Sequence, residues 1–317
     1  MSLVFTLALL GVMAWVALNR QNIIDQWHIQ TFKPTAAALQ LATDDMMAGR
    51  GKDLFLASQA EIDAQSSFNH NCTVGSEKTI VLGCYAAQRI YIYSVTDPKL
   101  SGIEEVTAAH EMLHAAYERL DTTTKTHVDD LLNAELQKLN GDSHLTDLIK
   151  LYNDSEPGEL LNEMHSVLGT EYGNLSPELE TYYKQYFSDR SKIVAYSDAY
   201  EAVFTASQKQ LADMDANLSS IKSQIDASDA ALGKQQVDLQ AALAQLNQLA
   251  AQGDPAAYNQ QVSLYNQKVT AYNTLIQRTK DLINRYNALV ETRNQQAAAQ
   301  NNLYQSIDSR YQPEQQH

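Results

Sequence analysis

Hydrophobic residues form an uninterrupted run at the start of the chain, from Leu3 to Leu18. As a helix rising about 1.5 Å per residue, this run would be about 24 Å long, slightly short of the roughly 30 Å hydrocarbon core of a membrane. No Lys or Arg precedes it, and no clear cleavage site follows it. The pattern predicts an uncleaved transmembrane anchor over residues 1–19, with a secretory signal peptide as the alternative. The polar residues 20–34 are expected to form a juxtamembrane linker.

A seven-residue repeat dominates the C-terminal part of the chain. Its apolar positions are Leu211, Leu218, Ile225, Leu232, Leu239 and Leu246, and then Val262, Val269, Ile276, Ile283 and Val290. Sustained heptads predict coiled-coil helices, and a turn near 251–256 separates the two series. We expect an antiparallel coiled-coil hairpin over residues 196–305, followed by a flexible tail over 306–317. A dimeric coiled coil of the same helices is the alternative.

Residues 35–195 alternate short helical patterns with β-rich segments. Thr79–Leu82 and Arg89–Val95 are rich in β-branched and aromatic residues, which predicts two strands joined by a loop through Gly83 and Cys84. Asp53–Asp63 fits a strand or a short helix. Further helices are expected over Pro34–Met47, Lys125–Leu139, His144–Tyr152 and from Pro177 onward. The predicted fold class is α+β, mainly helical, with a small β-sheet and the long hairpin.

Charge and cysteine content limit the possible partners and the compartment. The formal net charge is −15 over 317 residues. This argues against a nucleic-acid partner, because phosphate contacts require a basic face. Cys72 and Cys84 are the only cysteines, and a disulfide between them is expected if the domain lies outside the cytoplasm. Two buried free thiols are the alternative.

A motif that binds metals lies in a predicted helix from Ile103 to Leu120. Ser101 and Glu104 fit a capping box at its start. Within it, His110-Glu111-x-x-His114 places two imidazoles one turn apart on one face. This is the zinc-protease pattern, in which two His bind zinc and the Glu acts as general base. The alternative is a helix that carries two surface or core histidines and binds no metal.

The third metal ligand is expected from a later helix. Glu159 and Glu163 lie one turn apart there. Glu159 would fall in the first turn if Pro157 opened the helix, where acids are favoured in any case. We therefore expect Glu163 to be the third ligand and Glu159 to orient the site, with the reverse assignment left open.

These residues resemble a known enzyme class. The two-His motif followed by a glutamate on a later helix resembles the zinc metallopeptidases of the gluzincin kind. Asn162-Glu163-x-x-Ser166 is similar to the third-ligand helix of thermolysin-type enzymes, although Val167 stands where that pattern has an acid. The likeness covers about residues 75–190. It implies a zincin-like metallopeptidase domain, placed over residues 35–195, with Zn²⁺ as its cofactor.

A second pattern implies a different ligand assignment. Tyr152, Glu159 and Glu163 are spaced as in lethal-factor-like proteases. That resemblance implies Glu159 as the ligand and Tyr152 as a hydrogen-bond donor to the developing oxyanion.

Taken together, the sequence predicts a single-pass, membrane-anchored zinc metallopeptidase that acts on protein or peptide substrates. Its catalytic domain would lie outside the cytoplasm, and a secreted form is the alternative. The coiled coil would recruit substrate or a protein partner. The rival interpretations are a non-catalytic adaptor built on the coiled coil, and a zinc hydrolase acting on a non-peptide amide.

Overall fold

The computed structural model describes residues 2–72, 80–155 and 158–311. Within these ranges the chain is mainly helical and carries a small three-stranded sheet, which confirms the predicted α+β, mainly helical class. The chain divides into two compact units. One consists of Met1–Phe204 together with Leu303–His317, and the other of Thr205–Asn302.

The helices and strands follow in this order. The first unit contains α1 (Ser2–Leu18), α2 (Arg20–Thr31), α3 (Ala36–Asp44), α4 (Arg50–Ala57), β1 (Glu61–Asp63), α5 (Gln65–Asn71), β2 (Gly83–Ala86), β3 (Arg89–Tyr93), α6 (Ile103–Glu118), α7 (Thr122–Lys138), α8 (Ser143–Ser155), α9 (Leu160–Glu171) and α10 (Pro177–Tyr183). Two long helices follow, α11 (Ser191–Gln252) and α12 (Pro255–Ile307).

From Phe5 to Leu18, the N-terminal helix α1 presents its apolar side chains outward. Phe5 is 72% exposed and Trp15 is 59% exposed. Of the described helices, no single one has both the length and the apolar composition to cross a bilayer, whereas α1 and α2 together do, with a 68° bend between them. The expected linker is mostly the helix α2. It is held to α6 and the rest of the first unit by an ion pair between Asp25 and Arg119, with Nε 2.9 Å from Oδ2.

The sheet has the strand order β1-β3-β2, with β1 parallel and β2 antiparallel to β3. The predicted bounds of its hairpin were wrong. Gly83 and Cys84, expected in the loop, lie in β2, and the turn consists of Ala87 and Gln88, whose φ values are 50° and 63°. A two-residue turn with both φ positive matches the twist of a hairpin and sets its register. Thr79 lies outside the described residues.

Helix α6 is buried along most of its length. Small side chains such as Ala108 and Ala116 are fully buried and allow neighbouring helices to approach closely. Gly169 of α9 lies close against α6, and a Cβ there would be only 2.4 Å from Cδ1 of Leu113. The absence of a side chain at this position lets α9 pack directly on α6.

The predicted capping box at the start of α6 was also wrong. The N-cap residue is Gly102, and it makes no side-chain capping bond. The carboxylate of Glu104 instead accepts a hydrogen bond from the backbone N–H of Val95 at 2.6 Å. Glu104 therefore ties the loop after β3 to α6, because this tertiary contact uses the oxygen that the local cap would have required.

The second unit consists of segments of α11 and α12. The break between the helices is at Gly253 and Asp254, and Asp254 Oδ1 accepts hydrogen bonds from the first backbone N–H groups of α12. Contacts between the two helices include an ion pair of Asp215 with Arg293, whose Nε lies 2.9 Å from Oδ1. The heptad residue Leu246 is buried, and so is Ile221, three residues after the heptad residue Leu218.

Candidate metal centre

Three potential metal ligands meet at the junction of α6 and α9. His110 Nε2 lies 3.7 Å from Glu163 Oε2, and His114 Nε2 lies 3.5 Å from Glu163 Oε1. One donor atom from each residue lies within 4.8 Å of the others. Zinc bonds of about 2.0–2.1 Å in tetrahedral geometry place donor atoms about 3.4 Å apart. The spacing and the chemistry of this His₂Glu set therefore fit zinc.

The two candidate glutamates differ in their position relative to the imidazoles. Glu163 faces both imidazoles, whereas Glu159 is the exposed N-cap residue of α9. Glu159 lies near the site, but its hydrogen-bond path to His114 runs through Asn162. Its Oε2 accepts a hydrogen bond from Asn162 Nδ2 at 3.3 Å, and Asn162 Oδ1 lies 3.0 Å from His114 Nδ1. An N–H on Nδ1 would donate to that oxygen and leave the Nε2 lone pair directed at Glu163.

Asn162 is a site residue for which the sequence pattern predicted no role. It is the first residue of the Asn-Glu-x-x-Ser pattern, and that position is the signal that could have identified it. The contact with His114 depends on the packing of α9 against α6, so the sequence could not show it.

Tyr152 also lies at the site. It is on α8, lines the cleft beside the three potential ligands and lies close enough to Glu163 for their charges to interact. Burial raises the pKa of Tyr152, and the nearby charges of Glu163, Glu171 and Glu111 raise it further. Tyr152 therefore keeps its proton at neutral pH and remains a hydrogen-bond donor.

Glu111 lies beneath the edge strand β2. It is 6% exposed, and its carboxylate lies against the backbone at Gly83. A Cβ at Gly83 would be 2.7 Å from Glu111 Oε1 and 2.5 Å from Thr107 Cγ2. Strand β2 can pass this close to α6 because residue 83 has no side chain. The sequence pattern does not predict this role, since it places Gly83 in a loop.

The three potential ligands are electrostatically arranged to hold a positive charge. Burial disfavours a charged imidazole at His110, but the contact with Glu163 and the charges of Glu111 and Glu163 outweigh it and raise the pKa of His110 to about 9. Burial is the larger effect at His114 and lowers its pKa. Burial also opposes the Glu163 carboxylate, yet the two imidazoles lower its pKa. Glu163 is therefore ionised at neutral pH.

The potential ligands face a cleft of about 690 Å³. Strand β2 contributes one side of it and α8 contributes another, through Leu148, Leu151 and Tyr152. None of the described residues that line it is Lys or Arg. The predicted disulfide between Cys72 and Cys84 is present. It ties β2 to the end of α5 beside the cleft.

Comparison of the chain with protein-family models, with curated proteins and with solved structures finds no match.

Proposed function

We propose that the protein is a zinc-dependent metallopeptidase. The observation that carries this proposal is the convergence of His110, His114 and Glu163 in a cleft that also contains Glu111. Two imidazoles and one carboxylate leave a fourth position for water or substrate in a tetrahedral zinc site. Zinc bound there would supply a Lewis acid and lower the pKa of water toward neutrality.

The protein's own residues have defined roles in this proposal. Glu111 accepts the proton of the attacking water and returns it to the leaving amine. Tyr152, which keeps its proton, holds Glu163 in place and can donate to a developing oxyanion. Asn162 orients His114.

The position of β2 suggests how a peptide would bind. In the described sheet β2 is an edge strand, and it borders the cleft. Its outer edge can add an extended peptide through main-chain hydrogen bonds. A peptide bound in this way would pass over Glu111 and the three potential ligands.

We also propose that the catalytic unit lies outside the cytoplasm, anchored to a membrane by α1 together with α2, the pair that has the length and composition to cross a bilayer. The disulfide favours an oxidising compartment, and the exposed apolar side chains of α1 need a nonpolar partner. Secretion after cleavage of this segment is the alternative. We propose that α11 and α12 form an antiparallel coiled-coil hairpin that recruits substrate or a protein partner.

Glu111→Gln in the full chain tests the proposal. The variant is expected to retain the zinc held by the three ligands and to lose at least about 1,000-fold in peptide hydrolysis, because the general base is removed. Zinc would be measured by mass spectrometry and hydrolysis on a peptide library. Glu178→Gln, which alters an exposed residue of α10, is the matched control.

Two results would contradict the proposal. One is hydrolysis by Glu111→Gln at the wild-type rate. The other is a wild-type chain that binds zinc no better than a His110→Ala, His114→Ala double variant. A chain without zinc or hydrolysis that still captured a partner through residues 205–302 would favour the adaptor.

A further inference from the structure

A second group of potential metal ligands lies outside the candidate metal centre. It consists of His144 on α8, Glu171 on α9 and Glu201 on α11, and we call it the second cluster. His144 Nε2 is 3.3 Å from Glu171 Oε2 and 4.0 Å from Glu201 Oε1. One donor atom from each residue lies within 4.8 Å of the others. These separations are similar to those of the first three ligands.

The second cluster is separate from the first site. Glu163 and Glu171 are eight residues apart on α9, which corresponds to about 12 Å along a helix. Ions that share a dinuclear catalytic site are only about 3.5–4 Å apart. The two groups would therefore hold independent ions.

The charges around the second cluster favour a cation. The acids Glu171, Glu201 and Asp142 raise the pKa of His144, with Glu171 acting first through a hydrogen bond. Burial raises the pKa of Glu201, and the like charge of Glu171 raises it further. One imidazole therefore faces an excess of carboxylates. A divalent ion would relieve this repulsion more completely than a single proton on His144.

We propose that His144, Glu171 and Glu201 bind a divalent transition-metal ion of the Zn²⁺ or Mn²⁺ class. An imidazole with two carboxylates suits such ions, whereas Ca²⁺ is normally bound by oxygen atoms alone. Water would complete the coordination, since the side chain of His144 is 54% exposed. The proposal rests on these three side chains and does not depend on the proposed peptidase activity.

An ion at the second cluster would affect the cleft. It would join α8 to both α9 and α11, and α8 carries Leu148, Leu151 and Tyr152 on the cleft wall. Glu171 itself lines the cleft. The ion would therefore hold this wall, and with it the Tyr152 hydroxyl, against the rest of the unit.

Equilibrium dialysis of the full chain against micromolar Zn²⁺ or Mn²⁺ tests the binding. His144→Ala is expected to bind one fewer ion per chain than His127→Ala, a matched control at an exposed His of α7. The difference of one ion is expected whether or not the first site binds metal. Failure of the proposed function is thus distinguishable from failure of this inference.

A second pair of variants protects the test against misfolding. Glu201→Gln alters a side chain that is 41% exposed, and Glu178→Gln is its control. If Glu201→Gln has the same circular dichroism spectrum and binds the ion at least about tenfold more weakly than Glu178→Gln, the site is supported. Equal binding by both variants would overturn the proposal.

Hydrogen exchange tests the consequence for the cleft wall. Added Mn²⁺ is expected to slow amide exchange in α8 at least several-fold in the wild-type chain and to have no such effect in Glu201→Gln. Binding without slower exchange in α8 would overturn the inference that the ion holds the wall.

Discussion

Gly83→Ala tests the close approach of β2 to α6. The added Cβ would lie 2.5 Å from Thr107 Cγ2 and 2.7 Å from Glu111 Oε1, against about 3.4 Å for an ordinary contact. The added Cβ would therefore be about 0.9 Å too close to Thr107 Cγ2 and about 0.7 Å too close to Glu111 Oε1. Thr107 is β-branched and stiff at χ1, and Cys84 is bonded to Cys72. The Thr107 side chain and strand β2 therefore cannot move apart easily.

The clash has two expected consequences. Overpacking of this kind lowers the free energy of unfolding by about 1–3 kcal/mol. For a unit of this size each kcal/mol lowers Tm by about 2–4 °C, so the expected fall in Tm is about 2–12 °C. A Glu111 carboxylate displaced by somewhat less than 1 Å should lower kcat/KM for peptide hydrolysis by about 10–100-fold. Zinc content should be unchanged, because His110, His114 and Glu163 are untouched.

The measurements are thermal unfolding by circular dichroism, zinc content and peptide kinetics. Gly233→Ala is the control, because that glycine is inside α11 with nothing within 4 Å of the added Cβ. It should raise stability slightly, since Ala favours helix over Gly by about 1 kcal/mol. A Gly83→Ala variant with wild-type Tm and wild-type kinetics would refute the argument that residue 83 must lack a side chain.

Three further predictions follow from the site. Glu163→Gln should weaken zinc binding by more than about 100-fold, whereas Glu159→Gln should weaken it by less than about tenfold, because Glu159 is exposed and its hydrogen-bond path to His114 runs through Asn162. A chelator-competition titration measures both, and a larger loss in Glu159→Gln would reverse the ligand assignment. The pKa of His110 is raised to about 9, so below this pH a metal ion must displace a proton from the imidazole. Apparent zinc affinity should therefore rise about tenfold per pH unit from about pH 7 to 9. A flat pH profile in the same titration would contradict this prediction. Cys84→Ser should lower the free energy of unfolding by about 2–4 kcal/mol, because a loop of about a dozen residues is no longer closed in the unfolded chain. Denaturant titrations measure this, and an unchanged free energy of unfolding would show that the disulfide contributes nothing to stability.

Much of the fold follows from local sequence patterns. The helical period and the absence of Gly and Pro predict α6, although its capping box was wrong. Capping boxes require a side chain that has no better partner, and Glu104 has one in the backbone of Val95. Strand β3 was found at nearly the right residues, because its β-branched and aromatic residues carry the signal. Strand β2 was misplaced, because its register comes from the turn at Ala87 and Gln88.

The sequence alone determined that His110 and His114 share one face of a helix, because residues four apart on any α-helix do so. It also determined the heptads of α11 and α12, since a repeat of seven is a property of the linear chain. Only the tertiary structure decided that Glu163, and not Glu159, faces the imidazoles, and that Gly83 lies over Glu111. It alone brought His144 to Glu171 and Glu201. Each of these contacts joins separate elements, and their distances depend on how closely α9, β2, α8 and α11 pack.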